Sequence, residues 1–213
     1  MAPSSDIAFS SSVKAAQERR GSRAAYVRME KKGGFATAID APLANFIAGA
    51  RSFYLATANR DGQPYIQHRG GPPGFLRVLD ERTLAFADFS GNRQYITTSN
   101  LEDNPRAMMF LMDYVNRRRV KIWGTARVVE NDPQLIVRLF PEGYRARAEA
   151  AILFSVEAWD VNCPQHIPQM LFAEGVAEAM RALEERIERL ESENAGLRAM
   201  FAQPTQHSEG QKP

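Results

Sequence analysis

The residues best suited to chemistry are basic and polar side chains at the points where predicted strands end. The turn 90–94 follows a strand that ends near Asp88 and supplies the side chains of Asn92, Arg93 and Gln94. A guanidinium group, side-chain amides and the backbone N–H groups of a helix start can together surround a phosphate. The turn therefore predicts an anion-binding site.

Two more basic groups occur where strands are expected. Arg69 precedes a Gly-Pro-rich stretch at 70–74, and Arg77 lies on the strand that follows it. Arg119 belongs to the run of arginines at 117–119. Each piece also has an ordinary interpretation, because a Gly-Asn-Arg turn is often solvated surface and a triple arginine often protects a sheet edge.

Short strands and tight turns must position these residues. Asn59-Arg-Asp-Gly62 is a hairpin signal between strands at 53–58 and 64–69. Because short turns leave little room for parallel crossovers, the pattern favours an antiparallel barrel or sandwich of about seven strands. The further strands are expected at 75–80, 83–88, 107–113, 119–130 and 150–161.

The two ends of the chain are expected to be helical. Residues 1–39 are predicted to form a helical extension, and 163–173 a linker to a helix over 174–202. Residues 203–213 are polar and are predicted to be disordered. Apolar residues of the C-terminal helix recur at alternating spacings of four and three, with Asn194 among them. This seam favours a parallel two-stranded coiled coil that dimerises the protein; the alternative is a single amphipathic helix packed on its own barrel.

Composition excludes several classes of protein. The chain has 213 residues and a formal net charge of +2, so nucleic acid is not the expected main partner. It contains no apolar run near the length of a membrane span, and its start lacks a secretory signal, so a cytoplasmic protein is the default expectation. The single cysteine, Cys163, excludes an internal disulfide framework and a multi-cysteine metal site, and no metal is expected.

The order and spacing of these pieces resemble the pyridoxamine 5′-phosphate oxidase-like flavoproteins over residues 40–160. That family has a strand ending near a Thr, a Ser-Arg-Lys turn, a helix, Glu-Asn-Pro, an apolar strand and Arg-Gln-Val-Arg-hydrophobic-x-Gly. Uncharacterised members that carry an Arg-Gly-Gly-Pro-Pro-Gly-Phe-Leu-Arg run and a Cys-Pro-Gln-His run are the most similar subgroup. The matching segments here are Asp88, Asn92-Arg93-Gln94, Asp103-Asn104-Pro105 and Arg118-Arg119-Val120-Lys121-Ile122-Trp123-Gly124.

The resemblance implies a mainly β fold, a six- to seven-stranded antiparallel split barrel over 40–162. It also implies a homodimer with FMN at the subunit interface. By position, Arg93 matches the phosphate-binding Arg, Gln94 replaces the family's Lys, and Asn92 replaces its Ser. Asp88 matches a Thr beside the flavin, and Arg119 matches a Gln that contacts the cofactor.

One part of the cofactor site is left open by the resemblance. Aligned without gaps, Arg77 falls on a Lys at the end of a flavin-lining strand, and Phe75 and Leu76 border the flavin ring. The Gly-Pro-rich insertion allows Arg69 to reach the phosphate instead. The sequence does not decide between the two arginines.

The implied function is that of an FMN-dependent oxidoreductase acting on an unidentified small molecule by hydride transfer at flavin N5. Arg119 is the candidate stabiliser of charge at the flavin edge. Oxidation of pyridoxamine phosphate itself is not expected, because the closing segments of the vitamin B6 oxidases have no match here. The alternatives are a non-enzymatic flavin-binding protein, a haem-handling protein with His166 as ligand, and a deazaflavin (F420) reductase that uses the cluster 117–121.

Overall fold

The computed structural model describes residues 2–161 and 164–201. Cys163 and the predicted disordered tail at 203–213 lie outside the described residues. The chain divides into two compact units, one up to Pro168 and the other from Gln169 onward.

Seven strands and six helices of the described chain follow a short 3-10 helix at Ser4–Ile7. The strands are β1 Ser52–Ala58, β2 Pro64–Gly70, β3 Leu76–Asp80, β4 Thr83–Phe89, β5 Arg106–Asp113, β6 Arg118–Val129 and β7 Ala148–Val161. The helices are α1 Ser11–Arg19, α2 Arg23–Glu30, α3 Ala41–Ala48, α4 Ile96–Asp103, α5 Pro133–Leu139 and α6 Ala173–Phe201. None of these helices is both long enough and apolar enough to cross a membrane.

All seven strands join one antiparallel sheet in the order β2-β1-β5-β6-β7-β4-β3. The predicted mainly β, antiparallel split-barrel fold is confirmed, including the long C-terminal helix. Strands β2 and β3 lie at the two ends of this order, so within residues 2–161 and 164–201 each has one edge that pairs with no other strand.

Helix α3 begins at the residue that its capping sequence predicts. The Asp40 side chain accepts a hydrogen bond of 2.8 Å from the Leu43 backbone N–H, and Pro42 lies in the first turn. Leu43 and Ile47 are then buried against the barrel core. Asp132 caps α5 in the same way, through the backbone N–H of Leu135.

The core lies inside the barrel. Gly124, in the motif that carries the family resemblance, allows β6 and β7 to approach each other closely. A Cβ atom on Gly124 would lie 1.9 Å from the carbonyl oxygen of Ser155. The register between β6 and β7 shifts between Trp123 and Gly124, which brings the two backbones together there. Any larger residue would push β7 away from β6.

The opposite faces of β2, β1, β5 and β6 point away from the core and form what we call the outer sheet face. The strand register arranges most residues of this face in two rows that run across the strands. Arg119 lies on the same face, opposite Met112. Ile66 is 61% exposed and Tyr54 is 36% exposed, so the chain leaves part of this face uncovered. One row is Ile66, Ala56, Met108 and Trp123, and the other is His68, Tyr54, Phe110 and Lys121.

The N-terminal segment packs on β6 and β7. The ring of Phe35 stacks on Trp123 with centroids 5.3 Å apart, and the Trp159 indole N–H donates to the carbonyl oxygen of Ala38 at 2.8 Å. The backbone N–H of Trp159 donates to Ala36. The segment therefore covers the Trp123 end of the outer sheet face.

Candidate functional site

A polar cleft opens between the edge strand β2, the end of β4 and the start of α4. It holds about 420 Å³ of empty space, part of it open to solvent. This site, the polar cleft, is lined by Tyr65, Gln67, Arg69, Asp88, Phe89, the segment 91–98 and Glu149.

A partly buried ion pair lines the cleft. Arg69 on β2 donates from Nη1 to Oδ1 of Asp88 at the end of β4, with side chains only 12% and 16% exposed. The guanidinium carbon lies 5.9 Å from the centroid of the Phe86 ring. Arg69 Nε is buried and has no hydrogen-bond partner among the described residues. A buried N–H of this kind needs an acceptor, which a bound anion can supply.

Two carboxyl groups share the cleft, and this changes the acidity of one of them. Burial raises the pKa of Asp88 above its ordinary value of 3.8, Arg69 partly offsets the rise, and Glu149 adds to it. The folded protein therefore holds a proton on Asp88 more tightly than the unfolded chain does.

This shift predicts a pH dependence of stability. A carboxyl whose pKa is raised by folding contributes stability at low pH, and that contribution is lost as the pH rises through the raised pKa. Asp88→Asn removes the titration, so its stability relative to the wild type should increase as the pH rises from about 4 to 7. Thermal melting of both proteins across this range measures the effect. A difference in melting temperature that stays constant with pH would contradict it.

The turn that carries Arg93 has unusual backbone angles. Arg93 and Tyr95 have φ values of 60° and 55°, in the left-handed region that non-glycine residues rarely adopt. The Asn92 side chain accepts a hydrogen bond from the Gln94 N–H at 3.2 Å, and Arg93 Nε donates to the Tyr95 hydroxyl at 3.1 Å. Such strain persists only where the surroundings enforce it, and it is frequent at binding sites. Arg93 is thereby held, still exposed, at the mouth of the cleft.

The start of α4 completes the wall of the cleft. The Thr97 hydroxyl donates to Gln67 at 2.6 Å, which ties the first turn of α4 to β2. Deeper in the fold, the Asn100 amide donates to the hydroxyl of Thr57 at 3.0 Å. No side chain caps the N-terminus of α4 among the described residues. The helix start therefore faces the cleft with its backbone N–H groups available.

The structure brings together five of the nine residues predicted to hold a cofactor. These are Arg69, Asp88, Asn92, Arg93 and Gln94. Arg77 is exposed on β3 and lines a separate groove beside α3. Of the two arginines left open by the sequence, only Arg69 lies in the polar cleft.

Two residues expected to border a flavin ring lie elsewhere. Phe75 and Leu76 are each 1% exposed, and the Phe75 ring stacks on Phe53 in the core with centroids 5.7 Å apart. Side chains so completely buried offer no face to a ligand. The structure therefore places these two side chains in the core, and neither lines the polar cleft.

Arg119 also lies outside the cleft of its own chain. It projects from β6 on the outer sheet face, and its buried Nε has no hydrogen-bond partner within the described chain. His166, the conceivable haem ligand, is exposed and lines no part of the polar cleft.

The lining residues that sequence reasoning missed include Glu149, Tyr95 and Thr97. Glu149 comes to the cleft because β7 pairs with the end of β4, where Asp88 lies opposite Ala150 and Phe89 opposite Ala148. That register is not readable from the chain. Tyr95 and Thr97 directly follow the turn, so their proximity to the predicted helix start was an available signal.

Comparisons with known proteins gave one family match and several similar solved structures. Residues 39–163 match the family described as pyridoxamine 5′-phosphate oxidase. Similar solved structures include the HupZ protein of Group A Streptococcus, at 18% identity over 62% of this chain and 99% of that one, with a TM-score of 0.49. An FMN-binding protein from Syntrophomonas wolfei is 12% identical over 68% of this chain and 97% of that one, with a TM-score of 0.45.

General stress protein 26 from Bacillus anthracis is 17% identical over 55% of this chain and 89% of that one, with a TM-score of 0.43. A comparison with curated protein sequences found no match. The family match covers more than half of the chain and includes every strand of the barrel. The chain therefore belongs to the pyridoxamine 5′-phosphate oxidase family.

Proposed function

We propose that the polar cleft binds the phosphate of FMN and that the protein is an FMN-dependent oxidoreductase acting on a small molecule. The observation that carries this proposal is the buried, unpartnered Nε of Arg69 beside the strained turn of Arg93 and the uncapped start of α4. When bound, FMN supplies two-electron redox chemistry at its ring system.

The residues of the cleft fit a phosphate, although their side-chain charges alone give the cleft no net positive charge. Arg69 and Arg93 bring two positive charges, and Asp88 and Glu149 bring two negative ones, so the side-chain charges of the cleft cancel. Asp88 already holds one edge of the Arg69 guanidinium. A phosphate therefore relies most on Arg93 and on the N–H groups of the helix start, while Arg69 contributes its remaining donor.

The placement of Arg119 away from the polar cleft supports a contact with the cofactor of a second copy of the chain. The polar cleft lies on the inner side of β2, whereas Arg119 projects from the outer sheet face. The exposed Tyr54 and Ile66 on that face are suited to burial against another copy. We infer a homodimer in which the outer sheet faces meet and each copy contributes Arg119 to the other's cofactor.

The basic cluster 117–121 argues for FMN rather than F420. Lys121 Nζ lies 3.4 Å from a carboxylate oxygen of Asp160, and the Arg118 guanidinium lies 5.2 Å from the centroid of the Phe46 ring. The ion pair offsets the charge of Lys121, so the cluster has one cation fewer to offer the polyanionic tail of F420.

Titration of the full-length protein with FMN tests the proposal. We expect one FMN per chain, measured by quenching of flavin fluorescence, and riboflavin binding at least about ten-fold more weakly because it lacks the phosphate. Equal affinity for the two flavins, or no uptake of either, would overturn the phosphate site. Bleaching of the bound flavin by NADH or NADPH supports an oxidoreductase that uses these electron donors.

A further inference from the structure

The C-terminal helix carries an apolar stripe that is exposed. None of the residues of α6, Ala173–Phe201, is buried. Met180, Leu183 and Ile187 are 56%, 60% and 54% exposed, and Leu190 and Leu197 are 46% and 50% exposed. Large apolar side chains repeated along one face of a long helix mark an interaction surface.

We propose that α6 pairs with α6 of a second copy of this chain as a parallel, in-register, two-stranded coiled coil. The apolar residues follow a heptad in which Ile187 occupies an a position and Leu183, Leu190 and Leu197 occupy d positions. β-Branched residues at a with leucine at d favour two parallel strands.

The charges beside the stripe fit the same arrangement. In a parallel pair each g residue meets the e residue five positions later on the other helix. Arg186 then faces Glu191 of the second copy, and Glu193 faces Arg198 of the second copy. Both pairs are attractive, and symmetry repeats each of them.

An antiparallel pair that stacks the same apolar layers fits less well. It would place Glu184 opposite Glu191 and would bury Asn194 against Leu183. A buried amide without a partner is costly, whereas in the parallel register the two Asn194 side chains meet and bond to each other. Asn194 therefore sets both the direction and the register of the pair.

This contact is separate from the flavin site and goes beyond the proposed function. A parallel coiled coil holds two chains together even where flavin is absent. It also raises the local concentration of one barrel around the other, because the second association becomes intramolecular. We therefore expect the two copies to stay associated at concentrations that would separate the barrels alone.

Cysteine cross-linking in the full-length protein tests the proposal. In a Cys163→Ser background, Leu183→Cys and Leu197→Cys are made separately, with Ser192→Cys at an outward f position as the matched control. Under mild oxidation both d-position variants should form covalent dimers at least about ten-fold faster than the control, since only they bring two Cβ atoms within disulfide reach. Equal cross-linking rates at residues 192, 183 and 197 would overturn the proposal. It would also be overturned if neither d-position variant formed a covalent dimer, which is the result expected of an antiparallel pair.

A charge reversal gives a second, independent measurement. Arg186→Glu should lower the melting temperature of α6 and slow cross-linking at residue 183, and Arg186→Glu/Glu191→Arg should restore both, because the double change recreates the attractive pair. A double variant no better than the single one would contradict the predicted pairing. FMN titration of the same proteins separates this result from the proposed function, since neither residue lies in the polar cleft.

Discussion

In a protein whose coiled-coil contact has been removed by Ile187→Asp, Tyr54→Asp is expected to give a monomer and to lower the affinity for FMN about 100-fold, although Tyr54 lies outside the polar cleft. Tyr54 is central to the outer sheet face, where it lies opposite His68 on one side and Phe110 on the other. In a dimer that joins two such faces, the change buries two carboxylates without partners, which costs several kcal/mol. Loss of the second copy then removes Arg119 from the cofactor.

The fold of the monomer should tolerate this change, since Tyr54 is 36% exposed in the single chain. Leu79→Asp is the matched control, because Leu79 is 40% exposed on β3, away from the outer sheet face. Analytical ultracentrifugation and FMN titration are run on both variants, with circular dichroism melting to verify folding. A folded Tyr54→Asp monomer that still binds FMN as tightly as the wild type would show that one chain is sufficient for the site. All proteins in this comparison, including the one with an unchanged barrel, also contain Ile187→Asp. This substitution removes the coiled-coil contact, so that only the contact between barrels is measured.

The barrel was predictable because local patterns determine it. The alternation of buried and exposed residues in β1 and the hairpin turn after it are both visible in the sequence. The caps at Asp40 and Asp132 likewise mark helix starts from the residues alone. None of these features needs information from a distant part of the chain.

The candidate site was only partly predictable, because long-range register assembles it. The turn of Arg93 is local, so the sequence alone can name its residues as candidates, whereas Glu149 reaches the cleft through the pairing of β7 with β4. The core position of Phe75 is hard to read from the sequence for a similar reason. The Gly-Pro-rich stretch folds back so closely that a Cβ on Gly71 would lie 2.7 Å from Phe75, whose ring is buried. An alignment without gaps cannot register such a fold-back.

The N-terminal extension illustrates the same limit. Its sequence indicates helices but not the surface they cover. The structure places Phe35 on Trp123 and the Ala36–Ala38 backbone against Trp159. Because it covers Trp123, the extension reduces the area of the outer sheet face that a second copy can contact. It lines no part of the polar cleft and leaves the cleft open. The remaining free part of the outer sheet face is centred on β2, β1 and β5.

Arg93→Ala should lower the affinity for FMN roughly 30-fold, because a charge-assisted contact to phosphate contributes about 2 kcal/mol. Arg93 is exposed and makes its side-chain hydrogen bond only to the neighbouring Tyr95 among the described residues, so the barrel should stay intact. Flavin fluorescence titration measures the change, and riboflavin affinity should not move, since riboflavin has no phosphate to lose.

Arg77→Ala is the control that separates the two sequence-based arrangements. Arg77 lies on β3 beside the groove at α3, so its removal should leave FMN affinity unchanged. If Arg77→Ala weakens FMN as much as Arg93→Ala does, Arg77 also acts on the phosphate, and the polar cleft of one chain is not the whole of the phosphate site. If only Arg93→Ala acts, and only on the phosphorylated flavin, the anion lies at the turn where the strained backbone and the start of α4 meet.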